Sequence, residues 1–560
     1  MGSSFTLNTT AALITPHRGA VALFLALLFC SFLFPGSMPA ATAEQEEARF
    51  EIQGFMVEGN TLLPDRPIDD DPKSPLKDFP TIQTTLEHFI GPDKTVEDIE
   101  QARAALEHIY HKNGYISVLV NIPEQTLEDG MVRLEVVESV IRRVRVTGNR
   151  SYTMENILAD LPSLREGKVL NLPHLQEELL LVNRNQDLRV EPLLLPGKHF
   201  GTVDVELKVK DNLPIHGSLE LNNRASTGTT DLRLNGVLRY DNLWQMEHSA
   251  SLQYQTSPQD TDEVQVIAGS YVLPTPWHDD HRLAFYSIWS DSNTAFGEGF
   301  QMVGSGFILG MRYVMPLAPY ELYSHNVSAG LDYKDFDETA TFFNEDLKTP
   351  ITYLPFNLSY NGSLTDEGGV TNFSAALNMA FRGLVSDQRE FEMKRFRANA
   401  NYLFLTAGVE REQKLPWETR LFAKLDGQLS EQPLISNEQY TAGGMESVRG
   451  YKESSGAGDN AIHSTIELRG PTMTDFAPFS NLSWKSGVYP FAFYDIAYLA
   501  INDALTGQDS CMNLQGTGFG LRGSITDYLD YETILAWALR DQDKTEPGDM
   551  MINFKVKSHF

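Results

Sequence analysis

The residues with the most constrained chemistry are Val448-Arg449-Gly450-Tyr451, in a long loop rich in glycine and serine. A guanidinium presents a rigid fork of donors that can grip one carboxylate through two parallel hydrogen bonds. In a loop its ordinary fate is plain hydration, so the flanking pattern decides. Glu418 to Ser430 places Arg420, Phe422, Lys424, Asp426 and Gln428 on one face and Leu421, Ala423, Leu425, Gly427 and Leu429 on the other. After the loop, Ile462, Ser464, Ile466 and Leu468 alternate with His463, Thr465, Glu467 and Arg469. Both runs are strands with a charged side and an apolar side.

Other chemical constellations are weaker. Gly518-Phe519-Gly520-Leu521-Arg522-Gly523 matches the spacing of a dinucleotide loop, but it lies within an alternating strand with no helix opening after it. A glycine-lined strand is the better reading. Asp69-Asp70-Asp71-Pro72 lacks the ligand spacing and glycine of a calcium loop. The 13 histidines include no H-x-x-x-H pair on a predicted helix, and no Ser-His-Asp set is brought together by periodicity. The sequence therefore points to no catalytic residue, no metal and no cofactor.

The elements that carry Arg449 begin with an export signal. Arg18 precedes an apolar run from Ala20 to Phe34, which Pro35, Gly36 and Pro39 break before Ala41-Thr42-Ala43, a small-x-small cleavage pattern. Residues 1–43 read as a signal peptide, since the run falls short of the roughly 20 residues of a spanning helix. Cys30 would leave with it, and bulky Phe29 argues against lipidation there. Cys511 then stands alone, which excludes an intrachain disulfide and a thiolate cluster. A formal net charge of -30 is unsuited to gripping nucleic acid. Every later apolar run is interrupted by charge, so this chain enters a membrane, if at all, as a closed set of strands.

From Phe50 to about Asp211 the pattern is α+β and internally repeated. Phe55-Met56-Val57-Glu58-Gly59-Asn60 and Val144-Arg145-Val146-Thr147-Gly148-Asn149 are the same phrase, a short strand closed by a Gly-Asn turn. In the first unit, after Thr81–Ile90, Thr95 caps a helix from Val96 to Lys112 with Val96, Ile99, Leu106, Ile109 and Tyr110 on one stripe. Strands Ile116–Ile122 and Val132–Glu138 follow. The second unit repeats the order, with helices near Met154–Leu161 and Pro173–Asn183 and strands near Arg189–Leu195 and Val203–Lys210. Small modules of this kind leave strand edges that can take up an extended peptide; two spacer domains without a binding role are the alternative.

Beyond Leu213 the helical period disappears. Leu219 and Leu221 oppose His216, Ser218, Glu220, Asn222 and Arg224, and Ala250, Leu252 and Tyr254 oppose Ser251, Gln253 and Gln255. Apolar-out, polar-in alternation fits a transmembrane β-barrel, although a soluble sandwich alternates too. Length and ending favour the barrel. The remaining residues allow about sixteen strands at roughly 20 residues each with its connection. The chain also closes on Ile552, Phe554, Val556 and terminal Phe560 alternating with Asn553, Lys555, Lys557 and His559.

Taken together, the two Gly-Asn modules, the barrel pattern and Gly443-Gly444-Met445-Glu446-Ser447-Val448-Arg449-Gly450-Tyr451 resemble the two-partner secretion transporters (TpsB), among them exporters of haemolysins and of filamentous haemagglutinin, in the superfamily of the barrel-assembly insertase. The resemblance implies an all-β barrel of about 16 antiparallel strands preceded by two small α+β POTRA domains in the periplasm, at 44–140 and 141–212. The barrel would occupy 213–560, its sixth loop, 431–460, folded inward with Val448, Arg449, Gly450 and Tyr451 at the tip. The superfamily motif F-x-D-x-G appears as Phe493-Tyr494-Asp495-Ile496-Ala497, with alanine in place of the glycine. Phe554, Val556 and Phe560 would form the signal by which outer-membrane barrels are recognised for assembly.

An arginine inside a barrel must find a carboxylate or lose several kcal/mol of hydration. Asp495 is the first choice, with Glu467 and Asp426 as weaker alternatives. The expectation is an outer-membrane translocase of Gram-negative bacteria, working as a monomer. Its partners would be an extended secreted polypeptide, membrane lipid and the barrel-assembly machinery, with no nucleic acid. An insertase of the same superfamily, a passive porin and a barrel-borne enzyme are the alternatives. Only Glu44 to Phe50 separates the cleavage site from the first module, which leaves no room for a plug helix; the sixth loop alone would then occlude the pore, or the pore would leak.

Overall fold

The computed structural model describes residues 48–560 apart from 66–80, 128, 292–294, 297–299, 302–304, 343–344, 474–486 and 543. The expected signal peptide and the Asp69–Asp71 run lie outside the described residues.

The chain divides into two compact units, one made of residues up to Leu106 with Val120–Glu135, the other of the remainder. In the first, strand Gly54–Glu58 pairs in parallel with Met131–Glu135 of the strand Met131–Glu138. The helix Val96–Lys112 starts where Thr95 and Asp98 cap each other, the Thr95 N–H donating to Asp98 Oδ2 at 2.8 Å. Ile99, Leu106, Ile109 and Tyr110 are buried, but Val96 is 62 % exposed. The stripe begins one turn later than its spacing suggests, because the first helical position lies beside the cap and points to solvent.

The second unit opens with a module of the same kind. Strand Val140–Thr147 pairs in parallel with Thr202–Asp211, whose other side takes Leu188–Pro196 antiparallel. Helices Met154–Ala159 and Leu172–Val182 cover a core that includes Ile157, Leu175, Val205 and Leu207. The repeated Gly-Asn turn has one physical cause in both places: Asn60 Nδ2 donates to the Leu63 carbonyl and Asn149 Nδ2 to the Tyr152 carbonyl, each at 2.8 Å.

Asp211 accepts the N–H groups of Arg150, Ser151 and Tyr152 at 2.8, 2.6 and 2.9 Å. Burial pushes its carboxyl up, but these backbone donors outweigh burial and hold it below the usual carboxylate range. A depressed folded-state value contributes stability that is complete above the unfolded value near ~4 and is lost as pH falls through the folded value. Asp211→Ala should therefore speed amide exchange at 150–152 at neutral pH, by an amount corresponding to about 1–3 kcal/mol. Between pH 4 and 2 the difference from wild type should shrink.

The rest is a closed antiparallel barrel. Strands Glu345–Tyr353 and Pro355–Asp366 continue one another across Leu354 and both pair with Tyr323–Phe342, so they count as one, and sixteen strands close the wall. Lipid-side positions are exposed leucines and isoleucines, such as Leu219, Leu238, Leu252, Ile462 and Ile466. Trp244, Trp277, Tyr320, Trp417 and Tyr528 are exposed on short turns at the end where Ile215–Asn222, the first strand, begins. Such an aromatic belt marks a membrane interface. No described helix is long and apolar enough to cross a membrane.

The second module is tied to that end. Gln245, on the turn after the second strand, accepts the Thr153 N–H at 2.9 Å and donates to the Ser151 carbonyl at 3.0 Å, while His216 on the first strand meets Asp187 at 2.7 Å. Closure falls to the last strand, Met550–His559, whose residues 555–559 pair with Asn222 to Ser218. Beyond that register Phe560 exchanges N–H···O bonds with Gly217 at 3.0 and 3.2 Å, and the Phe554 N–H donates to Asn223 Oδ1 at 2.8 Å. Val556 pairs with Leu221 on the lipid side. One helix, Gln388–Lys394, lies in the connection between the strands Gly369–Ala380 and Tyr402–Lys414. The alternating pattern gives no sign of it: seven residues are too few to set up a helical period.

Candidate functional site

The connection from Glu431 to Asp459 turns back into the barrel as a narrow arm. Tyr440–Ala442 pairs antiparallel with Gly456–Gly458, and the segment between them carries Val448, Arg449, Gly450 and Tyr451. Val448, Arg449 and Tyr451 are buried at 0, 4 and 1 % exposure. Gly450 has φ +101°, and a Cβ there would come within 2.9 Å of the backbone of Trp537 and Ala538. Only glycine lets the arm turn this close to the wall.

Arg449 reaches two carboxylates. Its Nε donates to Asp495 Oδ2 at 2.7 Å and its Nη2 to Asp495 Oδ1 at 2.8 Å, the two-pronged geometry; its own backbone N–H adds a third contact to Asp495 at 3.1 Å. Nη1 donates to Glu467 Oε2 at 2.8 Å. The guanidinium lies over the Phe493 ring, 3.5 Å from its centroid. Asp495 and Glu467 are 0 and 2 % exposed. This triad is a buried ion cluster, and removing one partner leaves an uncompensated charge.

The strands place these groups by alternation. On Gly487–Ala500, Phe491, Phe493, Asp495 and Ala497 share the inner face. On Asn460–Arg469, His463, Thr465 and Glu467 do so. Asp426, the third carboxylate considered, does not reach Arg449. It accepts instead from Tyr440 at 2.5 Å and pairs with His463 at 2.8 Å, because it sits opposite His463 in the strand register.

The wall is shaped for the arm. On Cys511–Thr526 the inner positions are Gly516, Gly518 and Gly520. A Cβ on Gly516 would stand 1.9 Å from the Arg449 carbonyl oxygen. The dinucleotide-like spacing is thus a glycine rail, and it seats the loop at Gly516 and the rings of Phe493 and Phe491 at Gly518 and Gly520. Ala497, which stands at the motif's glycine position, is fully buried in one cluster with Val448, Tyr451, Leu514 and Ala538, so its methyl group is accommodated. The Tyr451 hydroxyl lies 2.7 Å from the Arg540 carbonyl and 3.0 Å from that of Gln515.

Sequence reasoning missed the charges behind Glu467. Its Oε1 takes Arg469 at 2.7 Å and Arg522 at 3.2 Å; Arg522 continues to Glu532, which meets Lys555 at 3.3 Å, and Arg469 continues to Glu412. Also missed was Glu453 in the arm, which pairs with Arg224 at 3.0 Å beside the barrel seam. The even-numbered inner face from Gly516 to Arg522 was a readable signal; the cross-strand register was not. Against the arm lies a cavity of about 1030 Å³ lined by Glu453, Glu467, Arg469, Arg522, Glu532 and Lys555 together with Arg312, Asp332 and Lys334.

Comparisons with known proteins agree with this geometry. Residues 201–523 match the model of the haemolysin secretion/activation protein family ShlB/FhaC/HecB, and residues 50–139 match the ShlB-type POTRA domain. The chain is 24 % identical over 514 residues to the outer membrane transporter CdiB of Dickeya dadantii, covering 84 % of this chain and 82 % of that one. It is 20 % identical over 487 residues to the heme/hemopexin transporter protein HuxB of Haemophilus influenzae, with coverage of 85 and 82 %. The solved structure of CdiB from Escherichia coli superposes with a TM-score of 0.62 at 19 % identity, covering 93 % of each chain. BamA from Haemophilus ducreyi lacking POTRA domains 1–3 gives 0.53 at 16 % identity, over 91 % of this chain and all of that one. With more than half of its residues matched by one family model, this chain belongs to the haemolysin secretion/activation protein family ShlB/FhaC/HecB, built on an outer-membrane barrel with an amino-terminal POTRA domain.

Proposed function

We propose that this protein is the translocase of a two-partner secretion pair, carrying a large partner polypeptide in extended form from the periplasm to the cell surface. The observation that carries the reading is the arm seated inside the bore by Arg449 between Asp495 and Glu467. A permanently open porin has no use for such a buried cluster, which costs desolvation and gains nothing for diffusion. Arg449, Asp495, Glu467 and Phe493 act as the lock, with Val448, Gly450 and Tyr451 fitting the tip to the wall. Release of that lock accompanies passage of the cargo.

The module at 141–212 serves as a second POTRA domain. Its outer strand Leu188–Pro196 pairs with another strand on one side only and exposes Leu193 and Leu195. On its other side Asn183 accepts the Val190 N–H and donates to the Val190 carbonyl, which leaves the stretch beyond Val190 for a partner, and Val118–Asn121 is the corresponding edge strand of the first sheet. An extended cargo segment adds to such an edge through main-chain hydrogen bonds while its side chains fill alternate pockets. No catalytic step or cofactor enters; the cargo's folding outside supplies the driving force. The protein works as a monomer in lipid, without nucleic acid, and Phe554, Val556 and Phe560 are read by the assembly machinery during insertion.

The insertase alternative draws on the likeness to BamA, yet the family match and the transporter relatives favour export. A secretion assay decides. The partner polypeptide should appear outside cells that carry this protein and accumulate in the periplasm of cells that lack it. Equal amounts outside both would overturn the reading.

A further inference from the structure

At the barrel mouth opposite the end where the first strand begins, the inner face changes character. Asp332 and Lys334 line the wet cavity, but two residues further along the same strand Phe336 is buried among Ile288, Ile308, Ile351, Tyr353 and Tyr402. Apolar groups from two connections complete this cluster: Phe391 and Ala398 from 381–401, Leu434 and Ile435 from the base of the arm. The Phe391 ring meets Tyr353 edge-on at 5.6 Å. An aqueous bore needs no greasy stopper; a closed one does.

The stopper has its own ionic tie. Asp459, 0 % exposed, accepts Arg395 Nη2 at 2.7 Å, with a second guanidinium contact from Nη1. The same carboxylate accepts the backbone N–H groups of Leu434 at 2.9 Å and Asn502 at 2.7 Å. Arg395 also donates to the carbonyls of Leu434 and Asn502. One carboxylate thus joins three connections across the mouth, those after the strands Gly369–Ala380, Arg420–Ser430 and Gly487–Ala500. Nearby Glu438 ties the arm to the wall through Lys334 and Tyr353, each at 2.6 Å.

We propose that residues 381–401 form an outer gate distinct from the Arg449 lock, latched by Arg395 on Asp459 and sealed by Phe391. The proposal rests on the translocase reading: a chain leaving the bore has to part both latches, which stand in series. Removing either alone leaves the other as a partial barrier, so a single variant raises permeability in part and the effects of the two multiply.

Purified full-length protein in planar lipid bilayers tests this with salt alone as the probe. Arg395→Ala combined with Arg449→Ala should raise open probability by at least about a hundredfold over Arg449→Ala alone, the least expected from unpairing one partner of a buried ionic contact. Phe391→Ala combined with Arg449→Ala should do the same without altering charge, and it decides the matter if the Arg395 variant fails to insert. Both double variants conducting no more than Arg449→Ala would overturn the gate. Conductance needs no cargo, so a negative secretion assay would sink the translocase reading and leave this result standing.

Discussion

Arg449→Ala should abolish or sharply reduce export while leaving the barrel inserted and heat-modifiable on gels. The substitution removes every side-chain contact between the arm and Asp495, a carboxylate with 0 % exposure. Glu467 keeps Arg469 and Arg522 as partners, so the damage concentrates on Asp495. Unpairing one member of a buried pair costs about 3–5 kcal/mol, and that corresponds to roughly two to three and a half powers of ten in the population of the seated arm. The strand ladders on either side of Asp495 do not depend on Arg449, since residues 491–500 are paired to both neighbouring strands. Export by this variant at the wild-type rate would reject the lock.

A second large effect should follow from Gly516→Val, which touches no charge. A Cβ at residue 516 would stand 1.9 Å from the Arg449 carbonyl oxygen and 3.0 Å from its carbon, both of them backbone and unable to swing aside. Overpacking of this kind costs about 1–3 kcal/mol where neighbours can yield, and here they yield only by moving the whole tip. The expected result is an arm displaced from its seat, with raised bilayer conductance and reduced export in the same variant. Gly236→Val serves as the control, because a Cβ there meets only the Leu219 side chain, at an ordinary 3.8 Å. If Gly516→Val conducts and exports like wild type, close seating of the tip is not part of the mechanism.

Much of this architecture can be read from one dimension because a barrel wall is a period-2 object. The inner face of Phe491, Phe493, Asp495 and Ala497 follows from alternation alone, as does the outward display of Ile462, Ile466 and Leu468. Arg449 needed more, since loops carry no period; its neighbourhood came into view through the resemblance carried by Val448-Arg449-Gly450-Tyr451 and Phe493-Tyr494-Asp495. Choosing among Asp495, Glu467 and Asp426 was beyond alternation, because all three face inward. Strand stagger settles it, setting Asp426 against His463 and leaving Asp495 and Glu467 beneath the tip. The belt from Glu467 through Arg522 to Glu532 was illegible for the same reason. So was the Arg395–Asp459 latch, whose partners lie in irregular segments 64 residues apart. The short helix Gln388–Lys394 escaped because one buried residue, Phe391, cannot mark a face.

The central claim is that the tip must cycle between its seat and a released position for cargo to pass, so that losing the seat and being locked in it both stop export; a reversible tether tests the second half most directly. Val448 and Ala497 are both fully buried in one apolar cluster, on the arm and on the wall. Val448→Cys and Ala497→Cys, introduced with Cys511→Ser to remove the exposed native thiol, tether arm to wall in whatever fraction of the protein oxidation cross-links, a fraction read on non-reducing gels. The account predicts that export stops in oxidised cells in proportion to the cross-linked fraction and resumes on reduction. Undiminished export from fully cross-linked protein would contradict it.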